Sequence, residues 1–282
     1  VRPAWIIQED IEGIDSEPLI AEVVAQGMAV KRFKHSTRTE IDFSGYDPKA
    51  CILCYGDIDF VHQAYNRAPF VPGVWCNFSN MKCSKYYTYL GEHLLNQQYI
   101  IMPIGELLRR WYGLTTDYSE TSGIFKRSLF VRPDSGAKPF TGHIIKYDEY
   151  HKIQSLIQEI GPETLVIVAP EKQITAEWRF VICDKKVVTG SQYLPVECQL
   201  THEFIRINQP SSFSLATAIA SQEWQPDLCY TVDIAESEGD VHLLEINSFS
   251  CAGFYCCDIA SIVRNASEVA AKEWKDYYDS NE

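Results

Sequence analysis

With 282 residues, 38 acidic side chains against 25 lysines and arginines, and a formal charge of −13, the chain is long enough for a substantial core and about two domains. Its acidity excludes a general nucleic-acid-coating face or an anionic-membrane surface, while a local basic pocket for phosphate stays compatible with it. No apolar run reaches the roughly 18 residues of a membrane span, and the start Val1-Arg2-Pro3-Ala4-Trp5 lacks a signal-peptide layout, so the expectation is a soluble, cytoplasmic protein.

The first third alternates strand and helix patterns: a strand over Ala4 to Gln8, a helix over Pro18 to Gln26, strands over Ala29 to Phe33 and Ala50 to Tyr55, and a helix over Ile58 to Tyr65. Strands interleaved with helices predict a parallel α/β sheet, assigned to a small N-terminal domain over residues 1–80. No GxGxxG follows these strands, which removes the best marker of dinucleotide binding. Cys51 and Cys54 have CxxC spacing inside an apolar strand rather than at an exposed helix start, and Cys251, Cys256 and Cys257 form no paired zinc motif. The cysteines read as reduced, mostly buried thiols.

Ser84 to Leu95 has a helix pattern, with Ser84 as N-cap and Lys85 in the first turn. Tyr99 to Pro103 reads as a short strand, Ile104 to Trp111 as a helix and the polar Thr115 to Gly123 as a loop. Residues 81–120 are thus a helical linker region, and a boundary near residue 120 opens a second half, 121–282, of long β-type runs.

Ser128 to Pro133 is a strand ending in the cation Arg132, followed by a loop with Gly136, Lys138 and Gly142. Such a loop can cover a polyphosphate while Arg132 and Lys138 neutralise its charge, although ordinary surface turns share this composition. Leu165 to Glu171 is a buried-strand pattern reaching Pro170, and a strand leaving its sheet there frees backbone groups for an adenine edge. Ile174 to Ile182 alternates, which puts Glu177 and Arg179 on one face, either for a site or as a surface ion pair of little energetic weight. Lys185-Lys186 reads as the hairpin turn before the strand Val187 to Gln192.

The strand Cys229 to Ile234 carries Asp233, and after a turn-like Glu236 to Asp240 the strand Val241 to Ile246 carries Glu245, with Asn247 just beyond. Alternation puts Glu245 and Asn247 on one side, and pairing can set Asp233 beside them. Such oxygen ligands suit Mg2+, which takes one or two carboxylates plus substrate phosphates. Taken in isolation, a hairpin of this pattern more often turns its polar residues to solvent.

The order of these parts resembles the ATP-grasp superfamily from about Ser84 to Asp258, and Asp233 followed by Glu245-Ile246-Asn247 is the most specific piece. The resemblance implies an α/β chain in which the N-terminal domain precedes an ATP-grasp domain whose two lobes sandwich ATP, with the linker region contributing to the nucleotide site. It further implies that Asp233, Glu245 and Asn247 hold Mg2+ on ATP, that Arg132 stands where most members have a phosphate-binding lysine, and that Lys85 matches an upstream phosphate-contacting lysine. Val168, Ala169 and Glu171 match the adenine-contacting linker, with Glu171 or Glu177 a candidate for the ribose hydroxyls. Thr231 stands where many carboxylate-amine ligases carry an arginine, and Arg179 is the candidate to supply that cation. The arginine at 132, Glu-Trp-Arg, and the run Glu245 to Tyr255 are similar to a divergent clade that includes uncharacterised phage and bacterial proteins and a eukaryotic translation-initiation assembly factor.

The activity so implied is a Mg-ATP-dependent carboxylate-amine ligase acting through an acyl phosphate on an amino acid, peptide or protein. Arg132 and Arg179 would be its catalytic cations, and Lys138 would join them in clamping the phosphates. Ser248, Gly253 and Tyr255 follow the metal ligands directly and would face the acceptor substrate, with Gly253 permitting close backbone approach. The alternatives are a nucleotide-binding assembly or chaperone module without turnover and an ATP-dependent nucleic-acid end-modifying enzyme, since a fold does not guarantee a function.

Overall fold

A computed structural model describes residues 1–34, 40–115, 128–195 and 202–280. The boundary near residue 120 lies outside them, as does the loop expected over Thr115 to Gly123 except for Thr115 itself, which is the last residue of a helix. The chain forms two compact units, one of Val1–Asn77, Thr175–Glu236 and Val241–Glu282, the other of Phe78–Ile174 and Ser237–Asp240.

The first unit begins with β1 (Ala4–Gln8), α1 (Glu17–Ala25), β2 (Val30–Phe33), β3 (Cys51–Tyr55), α2 (Ile58–Arg67) and β4 (Val71–Gly73). These build a parallel sheet in the order β2-β1-β3-β4, as the alternation of strand and helix patterns predicts. β3 is buried at every position, so its Cys-Ile-Leu-Cys-Tyr run is continuous rather than alternating. Asp57 caps α2 by accepting the Phe60 N–H at 2.8 Å, and Gln8 grips the same residue at two points. Gly56 is required there, because a Cβ would lie 2.4 Å from the Phe60 ring and 2.7 Å from the Gln8 amide oxygen.

The second unit carries α3 (Cys83–Leu90), β5 (Ile100–Pro103), α4 (Ile104–Thr115), β6 (Ser128–Pro133), β7 (His143–Lys146), α5 (His151–Ile160) and β8 (Leu165–Pro170). Its sheet is antiparallel in the order β5-β8-β6-β7. Leu129, Val131, Val166 and Val168 pack against Leu107 and Trp111 of α4 and Ile153 and Leu156 of α5. α3 starts one residue earlier than expected and ends at Leu90, with Lys82 rather than Ser84 in the cap position. The cap is supplied from elsewhere: the Ser84 N–H donates to Asp134 Oδ1 at 2.8 Å.

The chain then returns to the first unit with β9 (Ala176–Cys183), β10 (Lys186–Leu194), α6 (His202–Asn208), α7 (Pro210–Ala220), β11 (Cys229–Ser237), β12 (Asp240–Ser248) and α8 (Ile259–Asp279). The four strands form an antiparallel sheet, β10-β9-β11-β12. Both tight hairpins place two successive residues at positive φ, Asp184-Lys185 at 45° and 63° and Glu238-Gly239 at 57° and 89°. The first turn therefore falls one residue before the expected Lys185-Lys186, because a left-handed first position favours aspartate. α8 carries a buried stripe of Ile262, Val263, Ala266, Val269 and Ala270 that joins a core with Trp5, Leu53 and Val181. Apart from Cys251 and Cys256, the described cysteines are buried free thiols.

Candidate active site

Antiparallel register sets Arg179 of β9 directly opposite Asp233 of β11. Arg179 donates from Nε to Asp233 Oδ1 at 2.7 Å and from Nη2 to Oδ2 at 2.6 Å, a two-point pair in which the carboxylate is 1% exposed. Its Nη1 donates to the Gly253 carbonyl at 2.8 Å. Burial works against the Arg179 charge, but Asp233 outweighs it and holds the guanidinium above the usual arginine range.

Asn247 of β12 donates from Nδ2 to Asp233 Oδ2 and to Glu245 Oε1, both at 3.1 Å. Strand alternation brings Glu245 and Asn247 to one side, and the amide gathers the two carboxylates. Glu177 joins them electrostatically: burial raises its carboxyl first, a hydrogen bond from Tyr193 opposes this, and Asp233 and Glu245 raise it further.

Tyr193 reaches this face because β10 is irregular. Gln192 pairs with Trp178 and Leu194 with Glu177, which leaves Tyr193 as the extra residue of a bulge. Its ring stacks on Tyr255 at 4.4 Å and 10°, and the Arg179 guanidinium lies 4.9 Å from the Tyr255 ring centre. Tyr255 holds a left-handed backbone, φ 49°, while remaining exposed.

A cavity of about 370 Å3 opens beside this cluster, lined among others by Asp15, Tyr55, Arg179, Gly253 and Tyr255. It lies past the carboxyl ends of β1 and β3, where neighbouring strands of a parallel sheet send their connections to different sides. Gly253 contributes its carbonyl to Arg179; a Cβ there would touch only Ile14, at an ordinary 3.7 Å. Ser248 is buried, donates to the Trp75 carbonyl at 2.8 Å and accepts the Ser250 N–H at 3.1 Å. Asp15, Tyr55 and Tyr193 escape a reading of single motifs, yet the ends of β1 and β3 are legible as the open end of a parallel sheet.

The remaining residues singled out by sequence lie in the second unit. Alternation along β6 puts Arg132 opposite to Leu129 and Val131, buried near Tyr86 and Tyr87 of α3, whose hydroxyls burial pushes up against the opposing pull of the Arg132 charge. Lys85 is exposed on α3 with its Nζ 5.5 Å from the Tyr89 ring centre. Lys138 is half-buried at φ 45°. Gly136 packs under the Phe78 carbonyl, 2.4 Å from where a Cβ would sit, so the loop is held close rather than left open. β8 pairs with β5 only as far as Val168, but with β6 as far as Pro170. Among the described residues, β8 therefore has no strand partner on its β5 side beyond Val168, at Ala169 and on toward Glu171, whose carboxylate accepts the Ser128 hydroxyl.

A family model described as ATP-grasp domain, R2K clade family 2, matches residues 114–265. The chain belongs to this ATP-grasp family. Among solved structures, the ATP-grasp chain is similar to the D-cycloserine synthetase DcsG at 11% identity and TM-score 0.57, covering 95% of this chain and 99% of that one. It is similar to the D-alanine–D-alanine ligase of Bacillus anthracis at 13% and 0.55, covering 98% and 100%. The ATP-grasp ligase PsnB, solved with a phosphomimetic variant of its minimal precursor, Mg and ADP, is similar at 10% and 0.51, covering 96% and 98%. At these identities the likeness is one of fold. No curated protein matches by sequence. No helix among the described residues of this ATP-grasp protein is long and apolar enough to cross a membrane.

Proposed function

We propose that the protein is an ATP-dependent ligase that joins a substrate carboxylate to an amine or related nucleophile through an acyl phosphate. The observation that carries this reading is the gathering of Asp233, Glu245 and Asn247 around Arg179 beside a small-molecule cavity, in a chain of the ATP-grasp family. Neighbours of this fold include proteins named as ligases and a synthetase.

The donor chemistry fits a magnesium ion. Two carboxylates and an amide, drawn together through Asn247, match its preference for hard oxygen ligands completed by substrate phosphates. Asp233, Glu245 and Asn247 would hold the ion, which when bound would offset phosphate charge.

In the first step a carboxylate oxygen of the substrate attacks the γ-phosphorus of ATP, the bond to the β-phosphate bridging oxygen breaks and ADP leaves. In the second the nucleophile attacks the carbonyl carbon, the bond to the phosphate oxygen breaks, and inorganic phosphate leaves with a proton released from the amine. Such chemistry needs positioning and charge neutralisation more than a protein nucleophile. Arg179, fixed by Asp233 and the Gly253 carbonyl, presents a rigid cation to the reacting carboxyl and phosphoryl groups. Arg132, Lys138 and Lys85 would meet phosphate charge, the Val168–Ala169 edge the adenine, and Glu171 or Glu177 the ribose. Tyr255 and Gly253 would border the substrate.

Incubation of the full chain with Mg-ATP and pools of amino acids or peptides tests this reading. ADP and phosphate release that depends on a pool, with a matching product mass, is expected. Asp233→Asn and Glu245→Gln should each lower that release by about 100-fold or more. Tight ATP binding with no ADP under any pool would sink it.

A further inference from the structure

The cavity past β1 and β3 carries a pattern of charge that phosphate chemistry does not require. Its wall holds one acidic and one basic side chain, Asp15 and Arg179, together with Tyr55, stacked on Phe254 at 5.3 Å, and the aliphatic Leu19 and Ile259. The Tyr55 hydroxyl donates to the Ala252 carbonyl at 2.9 Å, so its ring offers an apolar body.

Arginine has five N–H donors. One on Nε and one on each terminal nitrogen are committed to Asp233 and Gly253, which leaves two on a guanidinium already fixed at three points. Asp15 is exposed at the mouth of the cavity and is oriented by one bond, its Oδ1 accepting the Glu17 N–H at 3.0 Å. The start of α1 competes little for an anion at this wall, since the Glu17 N–H is taken and Pro18 has none.

A ligand that answers all of these features joins an anion, a cation and an apolar body in one small molecule. A peptide or protein C-terminus brings the carboxylate without an adjacent ammonium, and a nucleotide brings negative charge that Asp15 repels. A volume of about 370 Å3 lies at the small end of ligand pockets, which suits a single residue.

We infer that the cavity binds a free α-amino acid with an apolar or aromatic side chain, its carboxylate on Arg179 and its ammonium on Asp15. The inference rests on the ligase reading and names its carboxylate substrate. Because Arg179 also holds Asp233, the bound carboxylate lies beside the acidic cluster and is the group that takes the γ-phosphoryl. Its ammonium, paired with Asp15, stays protonated and unreactive, so this molecule acts as the acyl donor and the amine comes from a second one.

Calorimetry on the full chain, with and without a non-hydrolysable ATP analogue and Mg2+, tests it. The probes are the L- and D-forms of leucine and phenylalanine, N-acetylphenylalanine, phenylalaninamide and a phenylalanine-ended tripeptide. At least one free amino acid should bind, and acetylation or amidation should each weaken it by about tenfold or more, since a group left unpaired in such a site is rejected strongly. Asp15→Asn should bring the free amino acid down to the level of its acetylated form while the thermal transition stays in place. The inference is overturned if no free amino acid binds, if the blocked forms or the tripeptide bind as well as the free one, or if Asp15→Asn changes nothing. Failure of the analogue to bind would instead strike the ligase reading, which keeps the two failures apart.

Discussion

Arg179 and Asp233 face each other in register across β9 and β11 and close a two-point ion pair from which water is nearly excluded. Such a pair is a poor source of net stability but costly to break from one side, because the remaining charge stays buried. Arg179→Ala should therefore lower unfolding free energy by about 3–5 kcal/mol, whereas pairing Arg179→Met with Asp233→Leu should cost much less. Urea denaturation of the single and double variants checks this. Arg179→Lys keeps the charge without the planar fork and should fall between.

Asn247 ties Asp233 to Glu245 by donating to both. Asn247→Ala removes the shared donor and should lower stability by about 1–3 kcal/mol. Asn247→Asp instead adds a third carboxylate beside two others. Without divalent cation it should melt well below the parent, and Mg2+ should raise its melting temperature more than that of the parent. A titration of Mg2+ against thermal unfolding gives the comparison, and equal shifts for the two proteins would remove these residues from any metal site.

Much of this cluster was legible from residue order alone, since alternation along β12 forces Glu245 and Asn247 to one side and the apolar runs of β1, β3, β6 and β8 leave little choice of state. What the sequence could not show depends on irregularity or distance. Tyr193 enters through a bulge that no periodicity reveals. Asp15 and Tyr55 line one cavity with Arg179 because α8 and the two sheets of the first unit share one core. The cap of α3 comes from Asp134, fifty positions away along the chain, and Ser84, the local N-cap candidate, instead supplies the N–H that is capped.

Asp227 is expected to make stability depend on pH. Burial pushes its carboxyl from an ordinary 3.8 up to about 7, against the pull of the Leu228 and Asn77 N–H groups, with Glu273 adding to the rise. A raised folded value means that the folded protein binds the proton more tightly than the unfolded chain. The stabilisation from this group is complete below pH 3.8 and is lost as pH climbs through about 7. Asp227→Asn should flatten that slope and, above pH 7, exceed the parent in stability by on the order of 1–2 kcal/mol. Urea titrations between pH 4 and 8 test the sign; a variant that loses ground above pH 7 would refute it.

Asp134 links the strand that carries Arg132 to the helix that carries Lys85. Its own N–H donates to the Leu165 carbonyl at 2.9 Å, and its carboxylate accepts the Ser84 N–H at the start of α3. The carboxylate thereby meets both an unsatisfied donor and the positive end of the helix. Asp134→Ala should lower stability by about 1–2 kcal/mol, while Asp134→Asn keeps the acceptor and should lose less. If Lys85 and Arg132 both serve phosphate, loosening this joint should also weaken binding of an ATP analogue, and the loss should shrink at high salt where charge contacts matter less. Denaturation and analogue affinity measured on the same variants separate the two effects. A stability loss with unchanged affinity would leave Asp134 as a helix cap alone and argue against Lys85 as a phosphate ligand.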